Sequence, residues 1–103
     1  MAEKILIVED DVNIKQVVLF KLKNAGYEMY SAGNGAEALE VVKKQKLDLV
    51  ITDIMMPVMT GKELMVELKQ NPETKNIPIV MLTSRTLEKE IIDEFKMWSE
   101  INS

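Results

Sequence analysis

The sequence predicts a doubly wound parallel α/β sheet, and two observations carry that expectation. Short apolar runs return at regular intervals along the 103 residues, most of them almost unbroken Ile, Val and Leu. Strands covered on both faces read this way. Between the runs, apolar residues recur every three or four positions, so strand and helix alternate along the whole chain.

The first run, Ile5-Leu6-Ile7-Val8, is a buried strand. Ile14, Val18, Leu22 and Ala25 then mark a helix, with Gly26 where a C-terminal glycine belongs. The second run, Tyr27-Glu28-Met29-Tyr30, alternates polar and apolar and reads as a more peripheral strand. The turn Gly33-Asn34-Gly35 opens a second helix carrying Ala36, Leu39, Val41 and Val42. Leu49-Val50-Ile51 is the third strand. A third helix holds Leu64, Met65 and Leu68 and stops at Asn71-Pro72, because the residue before a proline disfavours helical backbone. The fourth run spans Ile77 to Leu82, and Leu87, Ile91, Phe95 and Trp98 have the spacing of a fourth helix. No linker, repeat or low-complexity tract interrupts the series, so residues 1–103 are expected to form one domain.

Composition removes several chemistries. The chain has no Cys and no His, which rules out disulfides, thiolate zinc sites and any Ser-His-Asp or Cys-His catalysis within it. A net charge of −4 argues against binding a nucleic-acid backbone, which needs a basic face. No apolar run approaches the ~20 residues of a membrane span, and a signal-peptide pattern is missing. A cytoplasmic domain, relying on carboxylates, hydroxyls, Lys or backbone groups, is the expectation.

Ligands of open parallel sheets sit beyond the carboxyl ends of the strands. Glu9, Asp10 and Asp11 follow the first run, Asp53 follows the third, and Thr83 and Ser84 follow the fourth. Neighbouring strands would bring these groups to one rim. Clustered carboxylates repel, and burying them is costly without a cation. Oxygen-only ligation by few carboxylates suits Mg²⁺. An EF-hand calcium loop does not fit, because Asp10-Asp11-Val12-Asn13 lacks its spacing, glycine and closing Glu. Asp11 is better read as a helix cap than as a ligand.

Three segments together resemble the receiver domains of bacterial response regulators. They are Ile5-Leu6-Ile7-Val8-Glu9-Asp10-Asp11, Asp53-Ile54-Met55-Met56-Pro57-Val58-Met59-Thr60-Gly61 and Ile79-Val80-Met81-Leu82-Thr83-Ser84. Gly33-Asn34-Gly35-Ala36-Glu37-Ala38-Leu39 resembles the family's second strand-to-helix turn, and the likeness extends over roughly residues 3–95. The resemblance implies a flavodoxin-like fold and a signalling phosphoacceptor rather than an enzyme. It also implies residue roles. Asp53 would be the phosphoacceptor, and Glu9, Asp10, Asp53 and the backbone carbonyl of Met55 would hold Mg²⁺. Thr83 would be the switch hydroxyl and Ser84 its small neighbour. A histidine kinase or phosphotransfer protein would be the phosphoryl donor.

Against the family pattern the chain departs at its end. Receivers have five strand–helix units and a Lys, usually followed by Pro, after the fifth strand. Here no Lys-Pro pair occurs, and no fifth apolar run follows Trp98. The expectation is therefore four units with the fifth missing, weakened phosphotransfer, and a fourth-strand edge left open to homodimer formation. A truncated receiver acting only as an oligomerisation or scaffold unit is the alternative. Two phosphate-loop readings fare worse. Gly33-Asn34-Gly35-Ala36-Glu37-Ala38 matches a dinucleotide-binding fingerprint, but it follows a polar strand in a chain short for that domain. Gly61-Lys62-Glu63 lacks the Gly and the Ser or Thr of a Walker loop.

Overall fold

The computed structural model describes residues 3–53 and 59–82. Seven elements alternate: β1 (Lys4–Val8), α1 (Val12–Asn24), β2 (Glu28–Ala32), α2 (Gly35–Lys44), β3 (Leu49–Asp53), α3 (Gly61–Gln70) and β4 (Ile79–Leu82). The four strands form one parallel sheet in the order β2-β1-β3-β4. The doubly wound α/β expectation holds through β4. The fourth helix over Leu87, Ile91, Phe95 and Trp98 lies outside the described residues, as does everything that bears on a fifth unit or on the cover of β4's outer edge.

Alternating side chains divide the core between the two faces of the sheet. Ile5, Ile7, Leu49 and Ile51 pack with Val18 and Leu22 of α1. Leu6, Val8 and Val50 face the other way, onto Ala38 of α2 and Leu64 and Leu68 of α3. Because both faces are covered, β3 is buried at every position and β1 at all but its first, which is why their sequences do not alternate. β2 is the edge strand on the side away from β3 and is mostly half-exposed, which explains its polar alternation.

Local signals fix the helix ends. Asp11 caps α1, its Oδ1 accepting from the backbone N–H groups of Asn13 at 2.9 Å and Ile14 at 3.2 Å. Gly26 ends that helix at φ +102°, left-handed backbone that glycine adopts without a Cβ clash. Asn34 caps α2 through the Glu37 N–H. Thr60 and Glu63 form a reciprocal capping box on α3, with both bonds at 3.2 Å. Two elements start later than the apolar pattern suggests. β2 begins at Glu28, since Tyr27 still donates to Leu22 O at the end of α1. β4 begins at Ile79, because Ile77 is tied to Thr74 O and Pro78 has no N–H to give the ladder. Among the described residues, no helix is long and apolar enough to cross a membrane.

Candidate functional site

Strand register builds the site. Val8 lies opposite both Ala32 on β2 and Thr52 on β3, so the next residues, Glu9 and Asp53, leave adjacent strands at the same level. The Glu9 N–H extends the pairing by donating to Ala32 O at 3.0 Å. Asp53 still belongs to the ladder, level with Leu82 of β4. One carboxylate oxygen from each of Glu9, Asp10 and Asp53 lies within 4.8 Å of the other two.

The three acids differ in their access to water. Glu9 is 6% exposed and Asp53 4%, whereas Asp10 is open to solvent. Burial pushes the Glu9 carboxyl up from 4.5 to about 7. The negative charge of Asp53 and hydrogen bonding with the Asp10 and Asp53 side chains act in the same direction. Opposing them, the Asp11 N–H donates to Glu9 Oε1 at 3.0 Å. The site therefore sets two buried carboxyl groups and one exposed carboxylate against one another at a single rim. Such an arrangement holds a proton or attracts a cation.

The donor set fits Mg²⁺. It is all oxygen, it contributes two buried carboxylates and one exposed carboxylate, and Asp10 leaves a side open to water. Glu9, Asp10 and Asp53 are the ligands expected from the sequence that the described residues contain, and the fold brings all three together. Met55, Thr83 and Ser84 lie outside the described residues. Asp11 stays apart from the cluster in the role of a cap. Two features escaped the sequence reading. Thr52 is fully buried and its hydroxyl donates to Asp53 O at 3.0 Å, at the carboxyl end of β3. Gly35, at the start of α2, is buried against Met59, six residues beyond Asp53. A threonine before an aspartate carries no signal of its own. The second glycine of Gly33-Asn34-Gly35 did carry one, but it pointed equally to a turn.

Comparison with known proteins agrees with this geometry. Residues 5–97 match the response regulator receiver domain family. A probable transcriptional regulator of Pyropia yezoensis, ycf29, is 36% identical over 97 residues, which is 94% of this chain and 44% of that protein. The chain spans less than half the length of the curated relatives it matches. Among solved structures, the chemotaxis protein CheY4 of Vibrio cholerae superposes with a TM-score of 0.84 at 28% identity, covering 94% of this chain and 98% of that one. The response regulator TrrA of Thermotoga maritima, solved in complex with Mg²⁺-BeF, has a TM-score of 0.73 at 37% identity over 82% of this chain and 71% of its own. By profile, by sequence and by fold, the chain belongs to the response regulator receiver domain family.

Proposed function

We propose that this chain is a phosphoacceptor module of a two-component phosphorelay, taking a phosphoryl group onto Asp53 and switching its protein contacts in response. The observation that carries this reading is the convergence of Glu9, Asp10 and Asp53 within 4.8 Å at the carboxyl ends of β1 and β3, two of them buried. Glu9, Asp10, Asp53 and the Met55 carbonyl would hold Mg²⁺, which would neutralise charge on the transferring phosphoryl oxygens. A relative of 37% identity was crystallised with Mg²⁺ and a beryllium fluoride, which supports that choice of cation.

Asp53 acts as the nucleophile. One of its carboxylate oxygens forms a bond to phosphorus while the bond to the donor's leaving atom breaks, nitrogen in a phosphohistidine or oxygen in a small acyl phosphate. The electron pair departs with the leaving group, and an aspartyl phosphate remains. These 103 residues contain no histidine, so the phosphohistidine lies outside them, on a histidine kinase or a phosphotransfer protein. Thr83 is assigned the switch hydroxyl and Ser84 the small neighbour that keeps access open. The added charge and acceptor oxygens of the product recruit that hydroxyl and change the surface offered to a partner. A cytoplasmic location, with proteins rather than nucleic acid or membrane as partners, goes with this reading.

Incubation with acetyl phosphate and Mg²⁺, followed by intact mass spectrometry, tests the reading. A gain of one phosphoryl group, lost in Asp53→Asn and in the presence of EDTA, is the expected result. Light scattering on the same sample decides the alternative. A stable dimer that takes up no phosphoryl group is a scaffold and not a relay component.

A further inference from the structure

The turn between β2 and α2 touches both arms of the acidic site. On one side, Ala32 O accepts the Glu9 N–H at 3.0 Å, fixing the arm that carries Glu9 and Asp10. On the other, buried Gly35 abuts Met59, which lies on the connection between Asp53 and α3. A Cβ at Gly35 would stand 2.6 Å from Met59 Cβ, 2.7 Å from its Cγ and 2.8 Å from its Sδ. The closest of these atoms is fixed to the Met59 backbone. A rotamer change cannot relieve that contact, so the connection or the start of α2 must move. On the described sides of the contact the shift is resisted. Asn34 caps α2 at this point, Thr60 caps α3 one residue after Met59, and Met59 packs against the core beneath α2 and α3.

From this geometry we infer that Gly35 is a positioning residue for the metal and phosphoacceptor site, bracing the Asp53 arm against the Glu9–Asp10 arm through its contact with Met59. The inference rests on the proposed role of Asp53 and its neighbours in holding Mg²⁺. It also explains the second glycine of the fingerprint-like turn without a dinucleotide. That glycine is required by the close approach of another part of the same chain. Gly33, two residues earlier, provides a built-in contrast. Among the described residues, a Cβ there meets only the Glu37 side chain, Oε2 at 2.8 Å and Cδ at 3.9 Å, whose far end can swing away.

Calorimetric Mg²⁺ titration of the folded chain and its variants tests the brace, at a temperature well below each melting point. Gly35→Ala is expected to weaken Mg²⁺ binding by roughly tenfold, the scale seen when groups supporting metal ligands are displaced. Gly33→Ala is expected to bind as the wild type does. Gly35→Ala combined with Met59→Gly adds a Cβ on one side of the contact and removes the atoms it would meet on the other, and it should bind more tightly than Gly35→Ala alone. A merely structural role for Gly35 would lower the melting point without this rescue. If Gly35→Ala does not fold, Met59→Gly alone empties the same contact and should bind Mg²⁺ more weakly than wild type. Wild-type binding with unchanged affinity in Gly35→Ala, or a loss the double variant does not relieve, overturns the brace alone. A wild-type chain that binds no Mg²⁺ overturns the functional reading and the brace together.

Discussion

The two ends of the sheet use charge in opposite ways. At the amino end, charged groups close the backbone. Asp48 Oδ2 accepts the Lys4 N–H at 2.7 Å while the Asp48 N–H donates to Lys4 O at 2.7 Å. Lys4 Nζ lies 3.8 Å from Glu28, and Lys69 Nζ donates to the carbonyls of Lys75 and Ile77. Each of these groups has an opposite charge or dipole to meet, and each is exposed or half-exposed. At the carboxyl end, Glu9, Asp10 and Asp53 face one another, and two of the three are buried. The same strands thus carry a rim built to hold the fold and a rim that strains it. Buried like charges are retained where a ligand compensates them, which is how a functional site differs from a structural one.

Substitution of Asp53 gives the largest effect and addresses the contrast directly. Asp53→Asn keeps the shape but removes one of the repelling charges. It is expected to abolish phosphoryl uptake and to weaken Mg²⁺ binding by roughly tenfold or more, since ligand charge sets affinity at such sites. In EDTA, the same variant should melt at a higher temperature than wild type. A lower melting point would show that the acidic rim does not strain the metal-free fold.

The pH dependence of stability is the next largest. The Glu9 carboxyl sits at about 7 in the folded chain against 4.5 for the free side chain. Between those values the folded state holds a proton that the unfolded state has released, so metal-free stability falls as pH rises from about 4.5 to about 7. Urea midpoints measured in EDTA across that window should decline. Glu9→Gln should flatten the decline, and saturating Mg²⁺ should reverse it by stabilising the ionised cluster. A midpoint that rises with pH through this window in EDTA would contradict the burial of an uncompensated Glu9.

Much of this contrast could be read in the sequence, and the portion that could not has physical reasons. β1 and β3 were legible because burial on both faces removes polar residues from Ile5 to Val8 and from Leu49 to Ile51. The acidic residues were legible because a parallel sheet delivers the ends of neighbouring strands to one rim, whatever the details of packing. The start of β4 was not, since Ile77 and Pro78 look like strand but are held by the preceding turn. Nor was the Gly35–Met59 contact. It joins residues 24 positions apart, and the pattern of either segment alone gives no hint of the other.

Removal of a helix cap has a smaller effect and separates structure from site within one acidic run. Asp11 adjoins Asp10 in sequence, yet its carboxylate serves the first turn of α1. Asp11→Ala should cost about 1 kcal/mol of stability, and Asp11→Asn, which caps equally well, only a few tenths. Denaturant midpoints for the two variants distinguish capping from charge. Equal losses would mean that the negative charge of Asp11 matters more than its hydrogen bonds.

The smallest expected effect lies at the opposite rim and tests the contrast from its other side. Asp48→Ala removes the acceptor for the Lys4 N–H but leaves that group exposed enough to bond water. The cost should be about 0.5–1 kcal/mol, the usual net value of such a bond, with no change in Mg²⁺ affinity. The reason is geometric. Lys4 and Asp48 precede the buried stretches of β1 and β3, and the registered pairs from Ile5–Leu49 to Val8–Thr52 stand between them and the acidic cluster. A close-packed sheet of that kind holds its far end in place when one exposed hydrogen bond at the near end is lost. Weaker Mg²⁺ binding in Asp48→Ala would therefore mean that the two rims are coupled through β1 and β3, and that the division of labour between them is incomplete.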